Sequence, residues 1–240
     1  MRLDFETRVD FRECRKQLRV SFGAAIRTSE ASYEIQYGFV RRPLHENTSW
    51  EKAKFEVPSH RYFDLSEYNY GVALLNDCKY GCRARREELD LCLLRSPLHP
   101  DPEADRGEHT FTFSYLPHTG ALEDSCVMAE AEMLNRPPVC FADQIPSVKP
   151  PFFLESDGIT LEVVKRAEKS DAWILRLVER LGRTSAGVLC TTLDNDPEIA
   201  ETDLMEWNPG EKSRFCDGKL PVTLKPFEIR TLQIVPESGK

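Results

Sequence analysis

Three short stretches hold most of the side chains in this sequence that could do chemistry. "LLNDCKYG" (74–81) sets Asn76, Asp77, Lys79 and Tyr80 between an apolar strand end and a glycine. "VRRPLHENTSW" (40–50) brings together Arg41, Arg42, His45, Asn47, Ser49 and Trp50, and "LLRSPLHPDPEADRGEH" (93–109) adds Arg95, His99, Asp101, Asp105, Arg106, Glu108 and His109. Amides, carboxylates and guanidinium groups grip vicinal hydroxyls, and an aromatic face covers the C–H side of a ring, so this palette suits a sugar. It does not make a catalyst by itself. The sequence carries no G-x-S-x-G nucleophile elbow, no phosphate-cradling glycine loop, no H-E-x-x-H and no zinc-spaced Cys/His set.

Each of these residues also has a plain structural reading. Trp50 is either a packing residue or a sugar platform, and His45 and His109 either bond their own loops or face a ligand. Asp101 and Asp105, among prolines, suit turns that bond the local backbone. Arg106 is placed to pair with its neighbour Asp105, and Arg95, at a strand end, with Asp77.

The elements that would position these loops are strands. "LDFETRVDF", "KQLRVSF", "AKFEVPSHRYFDL", "YGVALLND", "ELDLCLLR" and "HTFTFSYL" alternate or run apolar over strand lengths, with short turns rich in Gly, Pro, Asn and Asp between them. "YEIQYGFV" reads as one strand with Tyr33, Ile35 and Tyr37 on its covered face. Residues 121–135, "ALEDSCVMAEAEMLN", switch to helical spacing, with Leu122, Val127, Met128, Ala131 and Leu134 on one side, and predict the one substantial helix. Five prolines within "RPPVCFADQIPSVKPP" (136–151) predict an extended connector. Alternation returns afterwards and closes with "LPVTLKPFEIRTLQIV", where Pro226 predicts an edge, bend or bulge within the run. The fold class is therefore all-β: a sandwich portion over 1–120, a helix and connector over 121–150, and a smaller β-sandwich over 151–240.

Bulk composition narrows the partners. The 240 residues carry a net charge of -8 with no long basic tract, which disfavours nucleic acid and anionic membranes. No stretch has the roughly 18 apolar residues of a membrane helix, and "MRLDFETRVDF" has no signal-peptide core. The 8 cysteines form no C-x-x-C pair and suit free thiols in a reducing compartment, so the expected location is the cytoplasm. The glycosylation pattern "NTS" at Asn47 carries no meaning there.

The run "YEIQYGFVRRPLHENTSWEKAKFEVPSHRYFDLSEYNYGVALLNDCKYG", followed by "LCLLRSPLHPDPEADRGEHTFTFSYLPH", resembles the C-terminal region of the glycoside hydrolase family 38 α-mannosidases, in their cytosolic and bacterial branch. The resemblance runs through residues 1 to about 120, with an echo in "PFEIRTLQIV". It implies part of a mutarotase-like β-supersandwich followed by a terminal sandwich, in an enzyme that hydrolyses α-linked mannosides with retention, using two carboxylates and a zinc ion held by an N-terminal catalytic domain. It implies no catalytic residue, metal ligand or bound cofactor in this chain. The residues matching the family's loops near the sugar are Asn76, Asp77 and Tyr80 of "ND-x-KYG", Arg95 of "LLRSP", and Asp105, Arg106 and His109 of "AD-x-G-x-H"; Arg42, His45, Asn47 and Trp50 are weaker candidates on their residue types alone. The implied partners are an α-mannoside oligosaccharide and the catalytic domain of the same polypeptide, with a homo-oligomer as a further expectation. Two other functions fit the residues alone: a free-standing carbohydrate-binding or scaffold module, and a mutarotase-type enzyme using His and carboxylate groups.

Overall fold

The computed structural model describes residues 1–140 and 149–235, and the chain divides into two compact units after Cys140. The connector expected over 136–151 lies partly outside the described residues, at 141–148.

The first unit is built from β1 (Leu3–Phe11), β2 (Gln17–Gly23), β3 (Glu30–Ile35), β4 (Gly38–Pro43), a short helix α1 (Ser49–Ala53), β5 (Val57–Pro58), β6 (Tyr62–Ser66), β7 (Tyr70–Asn76), β8 (Gly81–Arg85), β9 (Glu88–Arg95), β10 (Gly107–Thr119) and a second helix, α2 (Val127–Asn135). One antiparallel sheet has the order β1-β10-β7-β6-β3-β4, and the other β2-β9-β8-β5. Phe63, Leu65, Leu74, Leu89, Leu91, Phe111 and Phe113 fill the space between the sheets. The opposite face of the larger sheet is covered as well: Tyr62, Ala73, Leu75 and Leu116 pack against Leu122, Val127 and Ala131 of the segment leading into and along α2. Burial on both faces is why "VALL" in β7 is a continuous apolar run rather than an alternating one.

Two expectations change here. "YEIQYGFV" is not one strand but a hairpin, with β3 and β4 joined through Gln36 and Tyr37, and Tyr37 takes a positive φ of 57°. The apparent alternation spans two strands, and Glu34, assigned to the open face, is buried. Helix α1 is an addition to the single helix expected. Thr48 accepts the Glu51 N–H at 3.2 Å, and the Glu51 carboxylate bonds back to the Thr48 hydroxyl, the local chemistry of a T-x-x-E cap. Trp50, on this helix, is exposed.

The second unit contains β11 (Phe152–Glu155), β12 (Ile159–Arg166), β13 (Trp173–Glu179), β14 (Ser185–Thr191), β15 (Glu198–Thr202), β16 (Lys212–Arg214), β17 (Lys219–Leu224) and β18 (Ile229–Val235). Its sheets run β11-β14-β17 and β12-β13-β18-β15-β16 around a core that includes Phe152, Leu175, Leu177, Leu189, Val222, Leu224 and Ile234. Pro226 is not a bulge inside one strand. It sits in the turn that carries the chain from β17 in one sheet to β18 in the other, and Glu228 closes that turn by accepting the Lys225 N–H at 2.7 Å. Glu179 staples the same corner, as it is fully buried and accepts the N–H groups of Leu181, Gly182 and Phe227, each at 2.9 Å, and the Ser185 hydroxyl at 3.0 Å. Among the described residues no helix is long and apolar enough to cross a membrane.

Candidate functional site

The loop after β7 is held by its own polar groups. Asn76 is 1% exposed; its amide donates to the His60 carbonyl at 2.8 Å, and its side-chain oxygen accepts the Lys79 N–H at 2.6 Å. Its carbonyl receives the Asn135 amide at 3.0 Å, which ties the corner to α2. Asp77 accepts the Thr112 N–H at 2.8 Å and donates its own N–H to the Thr112 carbonyl at 3.2 Å, gripping β10 from both sides. Lys79 lies 4.4 Å over the Phe111 ring. Tyr80 is the outward member, 56% exposed and edge-on to His60 at 5.8 Å. The functional chemistry of this corner is thus mostly spent on shaping a turn, leaving the Tyr80 phenol and the Cys78 thiol as its exposed groups.

Cys78 shares the turn. Partial burial and then the Asp77 carboxylate push its thiol up to about 11, so little thiolate forms near neutral pH. Cys14, Cys78 and Cys126 are all exposed, and iodoacetamide at pH 8 will alkylate Cys78 more slowly than the other two because its thiol is raised, with Asp77→Asn speeding the reaction. Peptide mass spectrometry reads both rates.

The loop before β10 is similarly self-contained. Asp105, at a positive φ of 55°, accepts the Arg95 N–H at 2.9 Å, while its carbonyl contacts His109 Nε2 at 3.1 Å. Arg106 pairs with Glu103 at 2.9 Å, not with Asp105. Arg95 meets Asp105 through its backbone N–H rather than Asp77 through its guanidinium, and Asp77 holds β10 through Oδ2 while its Oδ1 is buried without a hydrogen-bond partner. Asp101 accepts the Glu103 N–H at 2.9 Å. The three carboxylates Asp77, Asp101 and Asp105 therefore each hold a backbone amide.

The weaker candidates lie around a different pocket. Arg42 and His45 line it together with Tyr33, Val57, Cys82 and Arg85, and none of Asn76, Asp77, Tyr80, Arg95, Asp105 or His109 takes part. The Arg42 guanidinium lies 4.8 Å over the Tyr33 ring. His45 Nδ1 accepts the Asn47 N–H at 3.5 Å, a local loop bond. The polar residues expected to form one wall are thus divided between the corner and this pocket.

Sequence reasoning missed two buried polar clusters on the outer face of the larger sheet. Glu34 accepts Arg61 N at 2.6 Å and Arg61 Nη2 at 2.6 Å, and the same guanidinium reaches Glu132 of α2. His118 Nε2 meets Asp64 at 2.8 Å with both side chains 1% exposed, and Ser66 donates to the other Asp64 oxygen at 2.5 Å. The available signal was a carboxylate and a histidine at the alternating positions of apolar strands. Gly71 faces this pair across the β7–β10 ladder, and a methyl group there overlaps the His118 ring. Gly71→Ala will cost about 1–3 kcal/mol by overpacking, measured as a fall in the urea midpoint. Among the described residues no three His, Cys, Asp or Glu side chains gather as a metal site, so they offer no donor set for the zinc that the family resemblance implies.

Residues 1–103 match the glycosyl hydrolases family 38 C-terminal domain, and residues 158–232 the glycosyl hydrolases family 38 C-terminal beta sandwich domain. The chain belongs to glycoside hydrolase family 38, as its C-terminal region. Within family 38 it is 42% identical to human alpha-mannosidase 2C1 over 96% of its length, 38% identical to alpha-mannosidase G of Dictyostelium discoideum over 98%, and 34% identical to a Saccharomyces cerevisiae alpha-mannosidase over 97%. It spans 23%, 22% and 24% of those relatives. An Enterococcus faecalis alpha-mannosidase structure of 19% identity superposes with a TM-score of 0.78, covering 97% of this chain and 27% of that one, so the two share a fold over this region. The first family 38 segment contains Arg42–Trp50, Asn76–Tyr80 and Arg95, whereas Asp105, Arg106 and His109 fall just beyond its end.

Proposed function

We propose that this chain is the non-catalytic C-terminal part of an α-mannosidase, which in the intact enzyme hydrolyses α-linked mannosides with retention while this region shapes the sugar site and steadies the catalytic domain. The observation that carries the non-catalytic reading is the occupation of Asp77, Asp101 and Asp105 by backbone amides. A retaining glycosidase needs two carboxyl groups about 5–5.5 Å apart and aimed at the scissile bond, whereas each of these three spends an oxygen on a backbone amide, Asp77 on β10, Asp101 on its own loop and Asp105 on the end of β9. Tyr80, exposed at the corner, is the group best placed to meet a sugar or the adjoining domain. The nucleophile, the acid/base and the zinc ligands then belong to the longer polypeptide. The lengths of the relatives favour this reading over a free-standing module, and the cytoplasm is its proposed location.

The decisive experiment incubates the isolated 240-residue chain with a nitrophenyl α-mannoside, with and without zinc, beside the full-length enzyme. No release of nitrophenol from the chain is expected in either condition. Turnover by the chain alone overturns the proposal.

A further inference from the structure

The pocket beside Arg42 contains a positive charge with nothing to balance it. Its other cations are paired: Lys54 with Glu51 at 3.1 Å, Arg85 with Glu46 at 3.3 Å, and Arg83 with Asp90 at 3.3 Å. Its remaining carboxylate, Glu56, pairs with Arg19. Arg42 has no carboxylate partner among the described residues, and its Nη1 is buried with no hydrogen-bond partner. Neither ionisable group beside it supplies an anion. Burial pushes the Tyr33 phenol up to about 12 and drives the Cys82 thiol up too, so both stay neutral at physiological pH. A buried guanidinium N–H left unbonded is costly, while an oxyanion placed against it makes a charge-assisted bond. The Tyr33 ring fixes the guanidinium plane, so little ordering cost remains to be met on binding.

We infer that this pocket is a binding site for a single carboxylate group, seated against Arg42 Nη1. The pocket has about 40 Å³ of room for water-sized groups, enough to seat a carboxylate against Arg42. The carboxylate comes either from a free small acid or from an acidic side chain elsewhere in the longer polypeptide. The site shares none of the corner residues, and it reassigns Arg42 and His45, weaker candidates for the sugar, to a different ligand.

Phenylglyoxal modification mapped by peptide mass spectrometry tests this, with exposed Arg86 as the internal control. At constant ionic strength, sodium acetate is expected to slow modification of Arg42 several-fold and saturably in the 240-residue chain, leaving Arg86 unchanged. Acetate should also raise the melting temperature of the chain, and Arg42→Met should abolish that rise. Equal rates in acetate and chloride, protection without saturation, or an undiminished melting shift in Arg42→Met overturns the site. Stronger protection by inorganic phosphate than by acetate overturns the carboxylate assignment. In the full-length protein, Arg42 protected without acetate identifies a tethered side chain as the source, and Arg42 that still responds to acetate identifies a free acid.

Discussion

Arg61→Met will destabilise the first unit by about 3–5 kcal/mol, the range for breaking a buried ion pair from one side. The Glu34 side chain is 5% exposed and takes bonds from the Arg61 backbone at 2.6 Å and from Nε and Nη2 of its guanidinium at 3.0 and 2.6 Å. Methionine keeps much of the aliphatic volume but leaves that carboxylate facing α2 and the sheet without its cation. The same change removes the Arg61–Glu132 contact, so α2 loses a polar tie to the strand edge while Glu132 keeps its pairing with Arg136 at 3.0 Å. Urea denaturation with hydrogen exchange over residues 59–76 and 127–135 will show the loss concentrated in those peptides. A shift below about 1 kcal/mol would mean that water serves Glu34 as well as Arg61 does. Adding Glu34→Gln to Arg61→Met should recover part of the loss, because the uncompensated charge is then gone.

Glu179→Ala is the second large effect, on the order of 4 kcal/mol and confined to the second unit. One buried carboxylate serves three backbone N–H groups and a hydroxyl, and removing it orphans the three N–H groups and leaves the Ser185 hydroxyl with the Arg183 carbonyl at 3.4 Å. Those donors lie in the turn after β13, at the start of β14 and in the turn before β18, so a single deletion loosens both turns. Glu179→Gln tests whether charge or volume matters. An amide keeps one oxygen for two of the four donors and turns an NH2 group toward the other two, so its cost should fall between wild type and alanine. The fluorescence of Trp173, at the start of β13, reports both unfolding curves, and a glutamine variant with wild-type stability would sink the account.

What could be read from the residues followed the range of the interactions involved. Strand alternation in "LDFETRVDF" and "TLQIV", the helical spacing of Val127 and Ala131, and the family 38 loops are local patterns, and each names its own element. The hairpin inside "YEIQYGFV" was missed because Gln36 and Tyr37 continue the period across the turn, and its one glycine, Gly38, stands after the two turn residues, paired with Ile35. The role of Asn76 was half legible: its type and place suggested a turn or a ligand contact, and its partners His60, Lys79 and Asn135 decide for the turn. Glu34, Arg61, Asp64, His118 and Glu179 could not be singled out, since a buried charge is recognised by a partner that only the folded sheet supplies. Arg42 was noticed as a weak sugar contact, and only the pairing of its neighbours shows that it stands alone.

The ladder between β1 and β10 carries a consequence in time. Leu3 pairs with Tyr115 and Phe11 with Gly107, so the first strand waits for about a hundred residues before its partner exists. At a synthesis rate of about 5–20 residues per second, that is a delay of about 5–20 s on the ribosome. A nine-residue apolar ribbon left unpaired for so long would recruit neighbouring chains. In β1, Asp4, Glu6, Arg8 and Asp10 alternate with Phe5, Thr7, Val9 and Phe11, so every second residue of the waiting strand carries charge on the face turned to solvent. That alternation lets the nascent chain stay dispersed until translation delivers β10.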